Sequence, residues 1–393
     1  MNRRGTLRVP CFGLVKLQRG HAQRAPTEMK PKTIVIASGG TGGHLYPTIA
    51  VAEEIRQRHP EFRVVFIGTP NRIEAREVPK AGFEFMPIEI SAPGKSLKHL
   101  LKFPFQYQKA SRRSLSILQE LQAGAFLGGG AYLSVPVAYA ARRKRIPIAL
   151  LEINAIGGRA NKILSRSADK IFLSYPEAAS DFANAKAKIE VVGTPVRTSL
   201  ENGKFSQEEA RKHFGIDPDK KTLLVFGGSL GARSLNEVMK KSAKKFLEAG
   251  MNVIWQTGNS ANIDEIKKEI KSDSLCIREY ISEMPLAYAA ADLIVSRAGA
   301  STLAEIATLG KPAILVPYPL AIKNHQEINA KAYESSGAAI VIRDNDLDTL
   351  LEKNVLELMK DESRRKEMSE KMRRRENITA RNVVAEWLVS HCK

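Results

Sequence analysis

The sequence has little cysteine and no long apolar run. Cys11, Cys276 and Cys392 are its only cysteines, and their number and wide spacing favour neither a disulfide framework nor a zinc site. Charged groups such as the basic run 142–145 interrupt the apolar stretches, so none is long enough to span a bilayer. These features indicate a globular protein of a reducing cytoplasm, and 393 residues suffice for two domains with full-sized cores.

The sequence also has too few acidic residues to balance its 61 lysines and arginines, which leaves a formal net charge of +19. An anionic membrane, an acidic substrate or an ordinary solvated basic surface would each account for this charge. Zinc-finger, RNP-type and basic-zipper patterns are missing, so we do not expect nucleic acid to be a partner.

Residues 1–28 differ from the rest of the chain. They are rich in arginine, Glu28 is their only acid, and they lack the apolar core and cleavage site of a secretory signal. Their composition is compatible with an organelle transit peptide. Because Met29 stands just before the first predicted strand, we expect residues 1–28 to be a basic extension that is disordered or not translated.

The chain is organised around residues 33–55. The run from Thr33 to Ala37 is apolar and β-branched, as in a buried parallel strand, and the apolar spacing after position 44 is helical. Between them lies the loop 39–44, with the sequence GGTGGH, whose backbone N–H groups would point at an anion. A dinucleotide-binding loop needs glycine at position 45, where the chain has Leu45, and an acid after the second strand, where it has Gly68. The loop therefore predicts a different anionic ligand.

Strand and helix patterns alternate along both halves of the chain, which predicts parallel sheets. In the second half, the strand 222–226, the glycine loop 227–231 and the helix 234–246 repeat the plan of the first half. We therefore predict an α/β fold with two Rossmann-like domains, whose parallel sheets face each other across a cleft and which are joined near residues 197–205.

Two polar segments follow predicted strands of the second half. The segment 296–302 opens a helix that carries Glu305, and the segment 324–326 lies at the usual ligand edge of an open α/β sheet. Taken alone, each is also compatible with a helix cap, a surface acid or a plain loop. The acid pairs at 217/219 and 344/346 have turn-like contexts, so we predict no metal site and no cofactor.

Together these segments resemble the bacterial MurG family. The resemblance runs from about residue 32 to the C-terminal tail, and it rests on residues 39–44, 68–69, 74–75, 130–136, 193–197, 227–233, 296–305 and 324–326. It implies a GT-B fold and a hexosyltransferase that moves N-acetylglucosamine (GlcNAc), with inversion and without metal, from UDP-GlcNAc to undecaprenyl-pyrophosphoryl-MurNAc-pentapeptide (lipid I). The product would be lipid II for peptidoglycan.

The resemblance also implies partners and a division of labour. The implied partners are UDP-GlcNAc, lipid I and the cytoplasmic face of the inner membrane, to which the enzyme would bind peripherally; cell-wall synthesis proteins are further candidates. We predict an N-terminal acceptor and membrane domain over residues 29–196 and a C-terminal UDP-GlcNAc-binding domain over 197–365. A C-terminal helix within 366–393 would pack back on the N-terminal domain.

Carried over by position, the resemblance assigns site residues. His44 is the implied catalytic base, and Tyr132 would lie close to the acceptor. Glu305 would hold the ribose and Gln326 would read sugar hydroxyls. Ile281 would line the uracil site, while Ser229, Ser301 and Thr302 would face phosphate. The other implied contacts of UDP-GlcNAc are Thr41, Gly42, Gly43, Asn154, Arg197 and Ala300.

One motif departs from the family pattern. The family usually has His-Glu-Gln-Asn where this chain has Leu151-Glu152-Ile153-Asn154, so two polar groups are replaced by apolar ones. The acceptor therefore stays open between lipid I and another lipid, such as diacylglycerol. A UDP-GlcNAc epimerase of the same fold and a non-catalytic nucleotide-sugar-binding protein are the remaining alternatives.

A lipid-linked acceptor suggests a membrane-facing surface. Residues 97–107 carry leucine and aromatic side chains, and Pro104 is expected to interrupt any long helix. The basic residues within and around this stretch are Lys95, Lys98, Lys102, Lys109, Arg112 and Arg113. Apolar groups such as Leu101, Phe103 and Phe105 would enter the interface, while the basic groups meet anionic headgroups. A core helix with a basic edge is the alternative.

Overall fold

The computed structural model describes residues 32–91, 97–198, 200, 205–228, 231–373 and 380–393, with the side chains of residues 97–102 and 322 left out. The predicted extension 1–28 and the predicted phosphate contact Ser229 therefore lie outside the described residues. So do the side chains of Leu97, Leu100 and Leu101 in the predicted membrane-facing stretch.

The first half of the chain forms a seven-stranded parallel sheet with the order β3-β2-β1-β4-β5-β6-β7. Its strands are β1 Thr33–Ala37, β2 Arg63–Gly68, β3 Glu84–Pro87, β4 Ala123–Gly128, β5 Ile148–Glu152, β6 Lys170–Leu173 and β7 Lys188–Val191. Its helices are α1 Gly42–Arg58, α2 Ile73–Lys80, α3 Leu97–Glu120, α4 Ser134–Arg143 and α5 Arg159–Leu164, followed by a 3₁₀ helix Pro176–Phe182. We call this sheet and its helices the first lobe.

The second half forms a six-stranded parallel sheet with the order β10-β9-β8-β11-β12-β13. Its strands are β8 Thr222–Phe226, β9 Asn252–Gln256, β10 Leu275–Arg278, β11 Leu293–Ser296, β12 Ala313–Leu315 and β13 Ala339–Val341. Its helices are α6 Gln207–His213, α7 Arg233–Glu248, α8 Ile263–Glu269, α9 Met284–Ala290, α10 Ala300–Leu309, α11 His325–Glu334, α12 Leu347–Lys360 and α13 Glu362–Arg373. We call this part the second lobe. The chain ends with α14 Ala380–His391.

Each sheet is buried on both faces, which explains its continuous apolar strands. In β1, Val35 packs into the core on one face, while Ile34 and Ile36 pack into the core on the other. All five residues of this strand are buried. A strand covered by helices on both faces cannot alternate apolar with polar residues, so β-branched runs are favoured. The predicted α/β fold with two parallel sheets is confirmed.

Two elements of the fold differ from the sequence expectation. The short strands β10 and β13, at opposite edges of the second sheet, were not predicted. Helix α3 runs through Pro104 without a break, so the expected interruption was wrong. Proline removes only the one N–H that would bond to the carbonyl of residue 100, and packing between α3 and α4 supports the rest of the helix.

The last helix packs on the first lobe. In α14, Val384 and Leu388 are buried in the core that contains Ile49 of α1. Arg381 Nε donates to Glu54 Oε2 over 2.8 Å, and Arg381 Nη1 donates to the Val196 carbonyl over 3.2 Å. Helix α13 instead packs on α10 in the second lobe. The predicted boundaries at residues 28, 196 and 365 stay a prediction.

The contact between β4 and the chain end leads to a test of stability. A β-carbon at Gly124 would lie 2.5 Å from the Lys393 carbonyl oxygen and 2.6 Å from Cys392 Sγ. We expect Gly124→Ala to lower the free energy of unfolding by about 1–3 kcal/mol, as overpacking does, measured by urea denaturation. Deleting residues 392–393 from the variant should cause no further loss. A variant as stable as the parent chain would show that the end of the chain moves freely.

Candidate functional site

A cleft of about 1220 Å³ lies between the carboxyl edges of the two sheets. Its walls come from both lobes. Residues 41–44 and 153–154 lie on one side, and residues 226–228, 231–234, 280–282, 299–302, 318–320 and 325–326 lie on the other. A β-carbon on Gly43 would lie only 3.9 Å from Ser301 Oγ, so the two lobes approach closely at this point. Open α/β sheets bind ligands at this edge, where the strand order reverses.

Three helices begin at the cleft without a local cap. Helix α1 starts after Thr41, α7 after Ala232 and α10 after Gly299, and these starts line the cleft. Within the described chain, none of the three N-cap residues makes a side-chain cap hydrogen bond, and none of the first turns carries an acid. The first N–H groups of such helices are available to an anion, and the helix dipole favours negative charge there.

His44 lies in the first turn of α1 with its ring oriented by the neighbouring loop. Its Nδ1 is 2.9 Å from the Gly129 carbonyl oxygen, which can only accept, so Nδ1 carries the proton. Nε2 is then the basic atom of the neutral ring. Burial lowers the pKa of His44, although the nearby Glu152 charge and the Gly129 bond act in the opposite direction. The ring is therefore neutral at pH 7.

The position of the His44 ring depends on a glycine. Gly130 has φ +88°, a left-handed conformation that glycine adopts without steric cost. A β-carbon there would lie 3.2 Å from His44 Nδ1 and 3.1 Å from Asn161 Nδ2. Any larger residue would push against the His44 ring, which lines the cleft, and against the buried Asn161 amide.

Glu152 organises the loop after β5. It is 1% exposed, and its carboxylate accepts from the backbone N–H groups of Asn154 (3.2 Å) and Gly158 (2.8 Å) and from Asn161 Nδ2 (3.0 Å). These bonds place Asn154 on the cleft wall. Because its partners lie on the following loop and in the first turn of α5, Glu152 fixes the path of the chain between β5 and α5.

Glu74 holds the first glycine loop in a similar way. Its side chain is fully buried; Oε2 accepts from the Gly40 N–H over 3.0 Å, and Oε1 accepts from the Thr69 N–H (3.0 Å) and hydroxyl (2.5 Å). Glu74 therefore joins the loops after β1 and β2, and it sets the path of the chain into α1.

Glu305 is paired with a cation and a phenol. Arg197 Nη2 donates to Glu305 Oε1 over 3.0 Å, and the Tyr288 hydroxyl donates to Oε2 over 2.9 Å. Burial raises the pKa of Tyr288 far above its usual value, so it remains a donor. Glu305 lines the cleft in the second turn of α10, and its carboxylate oxygens keep lone pairs for further donors.

Two cleft residues of the second lobe, Ile281 and Gln326, are also held by hydrogen bonds. The Ile281 side chain is buried, and its N–H donates to Gln256 Oε1 over 2.9 Å. Gln256 Nε2 donates in turn to the Gly228 carbonyl over 3.0 Å, which links this segment to the second glycine loop. Gln326 Oε1 accepts from the Tyr318 N–H over 3.0 Å. Ile281 thus lines the cleft as a buried residue whose N–H is already bonded within the protein.

The structure brings most of the predicted site residues to this cleft. Those that line it are Thr41, Gly42, Gly43, His44, Asn154, Arg197, Ile281, Ala300, Ser301, Thr302, Glu305 and Gln326. Tyr132 does not line the cleft among the described residues; it is half-buried and hydrogen-bonds Thr69, and burial raises its pKa. Proximity does not test the predicted roles, which stay predictions.

Other residues that line the cleft or hold its loops were not predicted from the sequence. Glu152 could have been noticed as an acid at the end of an apolar strand, and Glu74 as part of a motif to which no role was given. Tyr46 and Tyr280 gave no such signal, because they contact each other across 234 positions, and Tyr288 contacts Glu305 from a different helix.

Acid pairs with turn-like contexts have structural partners. Asp217 Oδ1 accepts from the Asp219 N–H over 3.0 Å, and Asp344 Oδ1 accepts from Arg297 Nη1 over 2.6 Å. In the part of the chain that the structure describes, no three His, Cys, Asp or Glu side chains are grouped as metal ligands. Metal-independent activity stays a prediction.

The fold and the cleft are those of a two-lobed GT-B protein, and sequence comparison gives the family. Residues 34–173 match the glycosyltransferase family 28 N-terminal domain, and residues 222–382 match the corresponding C-terminal domain. A "UDP-N-acetylglucosamine--N-acetylmuramyl-(pentapeptide) pyrophosphoryl-undecaprenol N-acetylglucosamine transferase" from Christiangramia forsetii is 38% identical over 333 residues, covering 84% of this chain and 90% of the relative. The chain belongs to glycosyltransferase family 28 and, within it, to the MurG family.

Solved structures agree with this assignment. The crystal structure of Acinetobacter baumannii MurG is 28% identical, with a TM-score of 0.68 over 92% of this chain and 100% of that one. A UDP-GlcNAc 2-epimerase from Neisseria meningitidis, bound to UDP-GlcNAc, has a TM-score of 0.63 over 91% of this chain and 100% of its own, at 14% identity. The second likeness shows the shared fold alone.

Glu74 offers a test of how the first glycine loop is held. Glu74→Gln replaces one acceptor oxygen with an amide that faces N–H donors, so a buried donor loses its partner. We expect the free energy of unfolding to fall by about 1–3 kcal/mol. The change would be measured by urea denaturation.

Calorimetry should show weaker UDP-GlcNAc binding by the same variant, because loop 39–44 is no longer fixed. Glu248→Gln is the matched control: this exposed glutamate on α7 pairs with Lys244 at the surface, and its replacement should alter neither quantity. Parent-like stability and binding for Glu74→Gln would show that the loop holds its shape without the carboxylate.

Proposed function

We propose that this protein transfers GlcNAc from UDP-GlcNAc to the muramoyl sugar of lipid I, with inversion at the anomeric carbon, to give lipid II. The observation that carries the proposal is the meeting of three uncapped helix N-termini, neutral His44 and Glu305 in one cleft. The transferase activity for which the Christiangramia forsetii relative is named supports this choice of donor and acceptor.

The second lobe supplies the features that suit the donor. The first turn of α10, with Ser301 and Thr302, would bind the diphosphate through N–H groups and hydroxyls. Glu305, one turn further on, would accept from the ribose diol, and the backbone near Ile281 would face the uracil. The amide nitrogen of Gln326 would donate to a sugar hydroxyl, because its side-chain oxygen already accepts from the Tyr318 N–H.

His44 would act as the general base. Its Nε2 would take the proton of the acceptor hydroxyl as that oxygen attacks the anomeric carbon of GlcNAc. The bond from this carbon to the phosphate oxygen would break, and UDP would leave with the electron pair. The uncapped N–H groups and helix dipoles would stabilise the charge on the departing diphosphate.

The apolar residues 151 and 153 bear on the acceptor. Leu151 and Ile153 are buried, at 0% and 3% exposure, and Ile153 packs in the same core as Ala300 of the other lobe. Leu151 therefore replaces a polar group by contacts within the protein interior, whereas Ile153 packs in this core and also lines the cleft. Asn154 keeps its place on the cleft wall through Glu152, which supports retention of donor binding and of transfer.

Release of UDP from UDP-GlcNAc tests the function. With lipid I present, we expect stoichiometric UDP and lipid II. UDP release with diacylglycerol but not with lipid I would assign a different lipid acceptor. Conversion of UDP-GlcNAc to its isomer at carbon 2 would make the protein an epimerase, and binding without any turnover would leave a nucleotide-sugar-binding protein.

We also propose that the protein binds the cytoplasmic membrane surface through α3. Phe105 is 75% exposed, and the exposed basic side chains of Lys109, Arg112 and Arg113 follow on the same helix. Within the described ranges, no helix is both long and apolar enough to cross a membrane. An exposed aromatic group beside basic groups suits the interface of an anionic bilayer.

The role of His44 leads to a kinetic prediction. We expect His44→Ala to lower kcat by roughly 10²–10⁴-fold, the usual contribution of a general base, with little change in the Kd for UDP-GlcNAc. In the parent enzyme the acid limb of the kcat–pH profile should lie below pH 6.5, since burial lowers the pKa and only the neutral ring accepts a proton.

His59→Ala is the matched control, because this histidine ends the same helix and contacts Glu386 outside the cleft. It should keep parent-like kcat. A parent-like kcat for His44→Ala would remove His44 from the mechanism.

The membrane proposal is tested with liposomes. Phe105→Ser should weaken sedimentation with anionic vesicles, and added salt should weaken it further because the basic groups are screened. Phe205→Ser, at an exposed phenylalanine (44%) before α6, is the control and should bind as the parent does. Equal binding of both variants would place the membrane-facing surface elsewhere.

A further inference from the structure

Two tyrosines from opposite lobes contact each other at the wall of the cleft. Tyr46 lies on α1 of the first lobe, and Tyr280 follows β10 of the second lobe. Their hydroxyl oxygens are 2.9 Å apart, a hydrogen-bond distance, although the residues are 234 positions apart in sequence. Both side chains are half-buried and both line the cleft. This contact joins the two lobes directly.

Charged groups on both sides hold the two rings in place. The Arg197 guanidinium lies 4.5 Å from the Tyr46 ring centroid, and that of Arg76 lies 5.5 Å from the Tyr280 ring centroid. The Tyr46 hydroxyl is also 3.4 Å from Glu77 Oε2. Burial and the bond to Tyr280 raise the pKa of Tyr46 far above its usual value, so the hydroxyl keeps its proton.

The tyrosine pair adjoins the donor-binding segments of both lobes. A β-carbon on Gly42 would lie 3.0 Å from Tyr46 Cε2, so the ring packs against the end of the first glycine loop. Tyr280 directly precedes Ile281, whose N–H is held by Gln256. Arg197, which covers the Tyr46 ring, is also the partner of Glu305. A change in the separation of the tyrosines would therefore move several groups that face the donor.

We propose that the Tyr46–Tyr280 hydrogen bond is a clasp that holds the lobes at the separation required to bind the nucleotide sugar. The two tyrosines are positioning residues: they act through the glycine loop, Ile281 and Arg197. The choice of UDP-GlcNAc as the ligand rests on the proposed function. Without the clasp, open arrangements compete with the binding-competent one, and the apparent affinity falls by the fraction that remains closed.

Single hydroxyl deletions test the clasp by affinity. Tyr46→Phe and Tyr280→Phe each keep the ring and its cation contact and remove one hydroxyl of the pair; Tyr46→Phe also removes the contact with Glu77. We expect each to raise the Kd for UDP-GlcNAc, measured by calorimetry, roughly 3- to 10-fold. The double variant should bind no more weakly than Tyr46→Phe alone, because the bond between the tyrosines is already lost.

Tyr139→Phe removes an exposed hydroxyl on α4 and serves as control; it should bind as the parent does. Melting temperatures recorded in parallel should match between the parent and the four variants. Parent-like Kd values, or additive losses in the double variant, would overturn the clasp.

The distance between the lobes can be measured in the free protein, without either substrate. Nitroxide labels on Glu61→Cys and Lys268→Cys, exposed positions on the two lobes, would be measured by electron–electron double resonance in a Cys11→Ser chain. In the free protein, Tyr46→Phe and Tyr280→Phe should broaden the distance distribution. Unchanged distributions would overturn the clasp, while failure of the parent to bind UDP-GlcNAc would overturn only the proposed function.

Discussion

Helices that follow parallel strands begin at the carboxyl edge of their sheet, and the cleft depends on this constraint. Each sheet reverses its strand order beside its first strand, β1 or β8, so the connecting helices diverge there and leave a crevice. The two crevices open into one space, on which the first turns of α1, α7 and α10 converge. Their N–H groups lack side-chain caps in the described chain, so an anion can bind there without displacing a protein side chain.

Loops that leave their N–H groups exposed to a ligand need another source of rigidity, which two buried acids supply. Glu74 fixes the loops after β1 and β2, and Glu152 fixes the loop after β5. Burying a carboxylate is costly unless donors surround it, and here backbone amides satisfy both. The same amides cannot then rearrange, which keeps His44 and Asn154 in place before a substrate arrives.

The sequence predicted the two parallel sheets and the glycine loops because both depend on local pattern. The run from Thr33 to Ala37 followed by glycines specifies a strand and a turn within a dozen residues. The edge strands β10 and β13 were missed because they have only four and three residues, too few for a clear strand pattern. The two partners of Glu305 could not be derived from spacing. Arg197 is 108 positions away and Tyr288, 17 positions away, lies on a different helix, so tertiary packing decides both contacts.

The Arg197–Glu305 ion pair has a consequence for donor binding. Glu305 is largely buried, at 9% exposure, so its charge would be costly without a partner in the free protein. Arg197 and Tyr288 each occupy one oxygen, and a carboxylate accepts up to about four hydrogen bonds, so a ribose diol can bind without breaking the pair. The pair therefore keeps the Glu305 carboxylate oriented. Because Arg197 also lies over Tyr46, the contact that prepares Glu305 for the ribose links it to the position of the first lobe.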